Sequence, residues 1–166
     1  MKGMPEIVKG FVPRLAVNPP HGLGTKSHAV LVTDARTILL PWRDAKILLG
    51  SFLDGGVILA SGFADSEQVF DPEMWVRRPG AVVISHGFVD GLRCRRTLNT
   101  YSFVVEFRQD EEPKKISGFL VPSREDLRRG KQAGVRPAAS AHAYAEETGR
   151  IFHDVTPLGR IVEWRI

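Results

Sequence analysis

Two short apolar runs on either side of a polar turn occupy residues 28–41, which read His28-Ala-Val-Leu-Val-Thr-Asp-Ala-Arg-Thr-Ile-Leu-Leu-Pro41. Both runs are rich in Val, Ile and Leu, which favour β-strands when turn residues bound them. We expect the carboxylate of Asp34 to accept a hydrogen bond from the backbone two residues further on and so to hold the bend. The pattern predicts a β-hairpin, and similar patterns later in the chain extend the prediction to an antiparallel sheet.

Four segments in the second half of the chain also have strand character. Residues 81–86 read Ala-Val-Val-Ile-Ser-His, residues 92–98 and 101–108 alternate between two faces, and residues 114–121 return after a polar loop. On the 92–98 strand, one face carries Leu92, Cys94, Arg96 and Leu98, and the other carries Arg93, Arg95 and Thr97. Together with the hairpin, these segments predict that residues 28–122 form the sheet.

A helix is predicted over residues 137–155, because its apolar residues recur at the i, i+3, i+4, i+7 spacing of one helical face. These residues are Ala141, Tyr144, Ala145, Thr148, Ile151, Phe152 and Val155. The predicted fold class is therefore α+β: a bent antiparallel β-sheet or barrel with a C-terminal amphipathic helix, in a single domain of residues 1–166. Residues 161–166 are expected to add an edge strand, which a second copy of the chain is able to join, or to pack on the core.

Two regions are harder to interpret. Residues 1–27 contain Pro5, Pro13, Pro19 and Pro20 and are expected to be an irregular N-terminal segment, with a first strand through Phe11 as the alternative. Residues 44–80 read as a glycine-rich insertion. Within it, residues 44–65 fit a glycine-broken helix better than a hairpin at Asp54-Gly55, and Pro72 opens a helical turn that Asp71 caps.

The order of these elements resembles the bacterial and archaeal PH-like domains. The resemblance rests on the Val32-Thr33-Asp34-Ala35-Arg36 turn of the first hairpin, on Val83-Ile84-Ser85-His86, and on the later strands and helix, over residues 28–152. It implies a bent, barrel-like antiparallel sheet capped by one helix. It also implies a binding module for lipids, peptides or partner subunits that has no common active site.

The composition is that of an ordinary globular domain, with 43% hydrophobic and 25% charged residues and a net charge of +4. Cys94 is the only cysteine, so one chain forms neither a disulfide framework nor a cysteine zinc cluster, and a reducing cytoplasm fits. No secretory signal or transmembrane segment is expected. Scarce Met and Cys with abundant Arg agree with a thermophilic source or with a GC-rich genome.

Basic residues supply the candidate binding site. Arg93 and Arg95 share one face of a predicted strand, and residues 123–136 form a basic connector. If the strand and the connector converge, they form one anion-binding patch made of Arg93, Arg95, Arg124, Arg128, Arg129 and Lys131. The main hypothesis is a non-enzymatic module that binds an anionic ligand or a protein partner. Nucleic acid binding through the basic C-terminal half is one alternative, and a merely solvated connector is another.

A small enzyme with a cleft near Cys94, His86 and Asp90 is a further alternative. Arginines beside Cys94 favour a thiolate, but the position of Cys94 on an apolar face predicts that it is buried. His142 and His153 lie about 16 Å apart along one helix and do not share a metal ion, so with Glu146 they fit a solvated face. The loop at residues 22–27 lacks the spacing of a phosphate-binding loop. No metal or cofactor is expected.

Overall fold

The computed structural model describes residues 6–18, 25–50, 53, 56–59, 70–98, 100–122, 124–155 and 161–166. The strands are β1 (Val8–Asn18), β2 (Lys26–Thr33), β3 (Arg36–Pro41), β4 (Ile58–Leu59), β5 (Val82–Ser85), β6 (Val89–Thr97), β7 (Thr100–Gln109), β8 (Glu112–Leu120) and β9 (Ile161–Arg165). The α-helices are α1 (Trp42–Leu49), α2 (Pro72–Val76), α3 (Arg124–Gln132) and α4 (Pro137–Val155). A 3-10 turn, His86–Phe88, joins β5 to β6.

Within the described residues, the strands form one nine-stranded sheet in the order β5-β3-β2-β1-β8-β7-β6-β9, with β4 paired to β1. Neighbouring strands are antiparallel except β6 and β9, which are parallel. The α+β class is confirmed. The sheet is mixed and open, because the described strands β5 and β9 end the pairing path without pairing to each other. The expected antiparallel pairing is confirmed for every described pair of neighbouring strands except β6 and β9, and the described strands do not close into a barrel.

The first hairpin forms where the sequence predicts it, but a different residue holds its turn. Thr33 Oγ1 accepts hydrogen bonds from the backbone N–H groups of Ala35, at 3.2 Å, and Arg36, at 3.0 Å. Asp34 Oδ1 instead accepts from the backbone N–H of Ile7, at 3.0 Å, just before β1. The carboxylate thus fastens the turn to a neighbouring strand, because a tertiary donor competes with the local one.

Strand β1 corrects the expectation that residues 1–27 are irregular. It runs between β2 and β8 in the middle of the sheet. Its pairing with β2 shifts register between Val12 and Leu15, so Pro13, which has no N–H to donate, lies at an irregularity of the ladder. The backbone of Arg14 is satisfied there by the Tyr144 hydroxyl of α4, which accepts from the N–H at 2.9 Å and donates to the carbonyl at 2.8 Å.

The insertion at residues 44–80 contains both expected helical features. Helix α1 begins at Trp42, earlier than expected, and is followed by Gly50, whose φ of +51° suits glycine. Asp71 caps α2, since its side chain accepts from the backbone N–H of Glu73, and Pro72 occupies the first turn. The proposed Asp54-Gly55 hairpin lies outside the described residues, as do residues 60–69.

Two hydrophobic cores lie on opposite faces of the sheet. One packs α4 against one face of the sheet and includes Val30, Leu39, Ile84, Leu92, Cys94, Phe103, Val105, Ile151 and Phe152. The other packs α1 and α2 against β1, β2 and β3 and includes Phe11, Leu31, Ile38, Leu40, Ala45, Phe70 and Trp75. Strands β1, β2 and β3 are therefore covered on both sides, whereas the side chains of Arg93 and Arg95 on the other face of β6 are open to solvent.

Candidate functional site

The two arginines expected to begin an anion patch lie on β6, on the face turned away from α4. Arg93 forms an ion pair with Glu106 of β7, at 3.7 Å, and Arg95 pairs with Glu163 of β9. The guanidinium of Arg95 donates to the Glu163 carboxylate and holds the pKa of that carboxyl below its usual value. Both arginines are therefore largely neutralised by neighbouring strands.

The other four predicted residues lie on α3, because the expected connector over residues 123–136 is helical from Arg124 to Gln132. Glu125 accepts from Arg128 and Arg129 on the same helix, and these bonds lower the pKa of its carboxyl. Within the described part of the chain, Arg124 and Lys131 form no ion pair. Helix α3 thus carries a mixed surface on which two of the four basic groups are already partnered.

The structure does not bring Arg93 and Arg95 together with α3. Successive strand residues point to opposite faces, so Arg96 of β6 lies on the α4 side with Cys94. Helix α3 packs against α4, and its Leu127 lines the same groove as Arg96. The predicted set is therefore divided between two faces of the sheet.

The alternative catalytic set has no reactive geometry. Cys94 is fully buried, and burial raises the pKa of its thiol to about 12, which disfavours the thiolate. His86 Nε2 lies 2.8 Å from the hydroxyl oxygen of Thr37, and Nδ1 lies 3.4 Å from the carbonyl of Asp34. Both ring nitrogens have neighbours other than Cys94. Asp90 lies nearby on β6 and pairs with Arg108, at 3.3 Å.

His86 and Thr37 line a cavity of about 20 Å³ between the sheet and α4. The carbonyl of Asp34 is only an acceptor, so it fixes the proton on Nδ1, and Nε2 then accepts from the Thr37 hydroxyl. This arrangement suits neutral imidazole. The cavity is large enough for about one water molecule, too small for an organic ligand.

Stability is expected to fall in weak acid because two histidines are buried. Burial lowers the pKa of His28 and His86 below 6.5, so the unfolded chain binds protons more readily. The stability that these neutral histidines contribute is fully present above about pH 6.5. It is lost as the pH falls through their lowered folded-state pKa values. Urea unfolding should give a smaller free energy at about pH 5.5 than at about pH 7.5. Equal free energies of unfolding at the two pH values would contradict this prediction. So would a His28→Gln/His86→Gln variant whose free energy of unfolding changes with pH as much as that of the unchanged protein.

A groove of about 590 Å³ lies where the β6–β7 hairpin, the end of β8, α3 and the first turn of α4 meet. Its walls are mainly apolar and include Leu98, Leu120, Leu127, Pro137, Ala138 and Ala141. Arg96 and Arg136 also line it, and neither forms an ion pair with a described residue. No acidic side chain is among the described residues that line the groove. The groove therefore combines an apolar surface with two uncompensated positive charges.

Leu98 lies at the tip of the β6–β7 hairpin and forms part of the groove wall. Its φ is +40°, in the region that glycine and asparagine favour, and 94% of its surface is exposed. Leu98 therefore contributes little to the stability of the fold, because its side chain is exposed and its backbone conformation is one that leucine disfavours. Such outliers are concentrated at ligand sites, where the surrounding structure maintains them.

Tyr101 lines the groove and has His142 of α4 as a neighbour. The Tyr101 hydroxyl lies 3.3 Å from Nδ1 of His142, and their rings are 6.3 Å apart. The described part of the chain holds no cluster of three or more His, Cys, Asp or Glu side chains suited to a metal ion. Glu146 pairs with Arg150 instead, at 3.4 Å. Residues 22–24 of the glycine-containing loop at residues 22–27 lie outside the described residues.

The sequence pattern does not predict that Arg96 and Arg136 meet in one groove. Alternation places Arg96 on the apolar face of its strand, next to Cys94, and a basic residue on such a face is the available signal. Arg136 stands out only as one residue of the basic connector at residues 123–136. Their approach depends on how α3 and α4 pack, and the local pattern does not contain that information.

Comparison with known proteins yields little beyond a distant structural likeness. No family model and no curated protein matches the chain. Among solved structures, the hSac2 domain from human phosphoinositide phosphatase Sac2 is similar with a TM-score of 0.48 and 9% sequence identity, over 99% of this chain and 80% of that chain. Within the described residues, no helix combines the length and apolar character needed to cross a membrane.

Proposed function

We propose that this protein is a non-enzymatic binding module for a small organic anion with an apolar body. The observation that carries the proposal is the groove in which Arg96 and Arg136, both without a carboxylate partner among the described residues, flank apolar side chains. The acidic group of the ligand would bind the guanidinium groups, and its apolar body would cover Leu98, Leu120 and Leu127. A volume of about 590 Å³ suits a ligand of this size.

We also propose that the chain has the binding role that its resemblance to PH-like domains implies, with helix α4 covering one face of the sheet. A separate proposal, which comes from the single cysteine, is that the protein resides in a reducing cytoplasm. Support for the first point is the packing of α4 residues such as Tyr144 and Phe152 on the sheet. Support for the second is that Cys94, the single cysteine, is buried and free.

Titration with anilinonaphthalene sulfonate, an anion with an apolar body that fluoresces in apolar surroundings, tests the proposal. The variant Arg96→Gln/Arg136→Gln is expected to bind this probe at least about tenfold more weakly than the unchanged protein, because two charge-assisted hydrogen bonds are lost. Filling the groove with Ala138→Trp should weaken binding similarly without removing a charge.

Arg93→Gln/Arg95→Gln is the matched control, since it removes the same charge from the opposite face of β6. It should bind the probe as the unchanged protein does. Equal affinity of the groove variant and the unchanged protein would refute the proposal. Loss of binding in the Arg93/Arg95 variant alone would assign the anion site to the patch that the sequence suggested.

A further inference from the structure

The outer edge of β5, the strand that ends the pairing order of the described sheet, is a second candidate binding surface. Strand β5 pairs with β3 on one side only, and no other described strand pairs with it. Beside it is a groove of about 630 Å³ lined by Val83, Ser85, Phe88 and the β7–β8 turn. The groove is separate from the one that contains Arg96 and Arg136.

The backbone of β5 offers hydrogen-bonding groups to this groove. His86 donates its backbone N–H to Ala35, at 2.9 Å, so the alternation of an antiparallel ladder directs Ile84 and Val82 toward β3 as well. The N–H and C=O groups of Val83 and Ser85 therefore point to the free edge. An added strand would pair with these groups without disturbing the existing ladder.

The side chains around the edge indicate the chemistry of such a strand. Phe88 is 61% exposed and offers an apolar contact. On the opposite wall, Asp110 and Glu111 form no ion pair with a described residue, whereas Arg108 is already paired with Asp90. Asp110 and Glu111 have φ values of +52° and +65°, at turn positions where asparagine and glycine are favoured. The surface is complementary to a segment that is both apolar and basic.

We infer that the free edge of β5 accepts an extended segment of another protein, with apolar and basic side chains in alternation, as an additional strand. Backbone hydrogen bonds to Val83 and Ser85 would fix the register of the added strand against β5. An apolar side chain would contact Phe88, and a lysine or arginine would face Asp110 and Glu111. This inference does not depend on the anion site, because the two grooves share no lining residue.

Ser85→Pro is the decisive variant. Ser85 has a φ of −71°, which proline adopts without strain, and its N–H is not part of the β3 ladder. The substitution removes the donor at the free edge and places a ring there, so the fold should be kept while strand addition is blocked. Ser85→Ala is the matched control, since it removes the hydroxyl and keeps the N–H.

The probe is a fluorescein-labelled peptide in which valine alternates with lysine, measured by fluorescence anisotropy. Unchanged protein and Ser85→Ala should bind it equally, and Ser85→Pro should bind it at least about tenfold more weakly. A peptide with glutamate in place of lysine should bind similarly weakly. Arg96→Gln/Arg136→Gln should bind the lysine peptide normally, which separates this inference from the proposed function.

Equal binding by Ser85→Pro and the unchanged protein, or equal binding of the lysine and glutamate peptides, would overturn the inference. If Ser85→Pro fails to fold, Asp110→Asn/Glu111→Gln tests the same surface and should weaken lysine-peptide binding. Sedimentation that shows a dimer broken by Ser85→Pro would also overturn it, by making a second copy the occupant.

Discussion

Replacing Gly118 with alanine is expected to lower the free energy of unfolding by about 3 kcal/mol or to abolish cooperative folding. Gly118 lies on β8 opposite Val17 of β1 and Phe103 of β7. A Cβ atom there would overlap the backbone oxygen of Ala16 and would lie 2.8 Å from the Cα of Val17. These are backbone atoms of a strand held on both sides, so a side-chain rotation does not relieve the overlap.

Urea unfolding followed by circular dichroism measures the effect, and Gly87→Ala is its control. A Cβ atom at Gly87 meets nothing within 4 Å, so this variant should remain within about 0.5 kcal/mol of the unchanged protein. If Gly118→Ala unfolds at the same urea concentration as Gly87→Ala, the close approach of β1 and β8 is not as described.

Phe11→Ala should cost about 3–5 kcal/mol, because a large side chain is removed from a filled core. Phe11 is fully buried, and its ring lies 5.1 Å from that of Phe70 and 6.2 Å from that of Trp75, centroid to centroid. It joins β1 to the part of the chain that carries α2. The cavity left by alanine would weaken the attachment of that helix to the sheet.

Phe119→Ala provides the comparison, since this phenylalanine on β8 is 38% exposed. Its loss should cost roughly 1 kcal/mol. The midpoint of thermal or urea unfolding for both variants measures the difference. Similar losses in the two variants would show that the core beneath α1 and α2 contributes little to stability.

Gly118 lies opposite β1 and Phe11 belongs to it, and β1 is the element that the sequence pattern predicted least well. Proline and glycine in residues 1–27 predict an irregular chain, and Pro13 is indeed incompatible with a regular ladder. The strand exists because its register shifts at this point and because Tyr144, far away in sequence, satisfies the backbone of Arg14. A hydrogen bond across that separation leaves no trace in a local pattern.

The sequence pattern predicts correctly those elements whose stabilising contacts join residues close together in the sequence. The first hairpin depends on side chains within its own turn, and the cap of α2 depends on Asp71 and the N–H two residues later. The groove depends on Arg96, Arg136 and Leu127, which three separate elements bring together. Alternation placed Arg93 and Arg95 on one face correctly, but it did not reveal on which side of the sheet α3 would pack.

The pairing of β1 with β8 has a kinetic consequence. Leu15 lies opposite Leu120, so the middle of the sheet closes only when two segments separated by more than half the length of the chain meet. Closing so long a loop carries an entropic penalty before the contacts it permits are made, which slows folding relative to sheets built of successive hairpins. During synthesis, β1 leaves the ribosome well before β8, so its β8 edge stays unpaired until most of the chain has emerged.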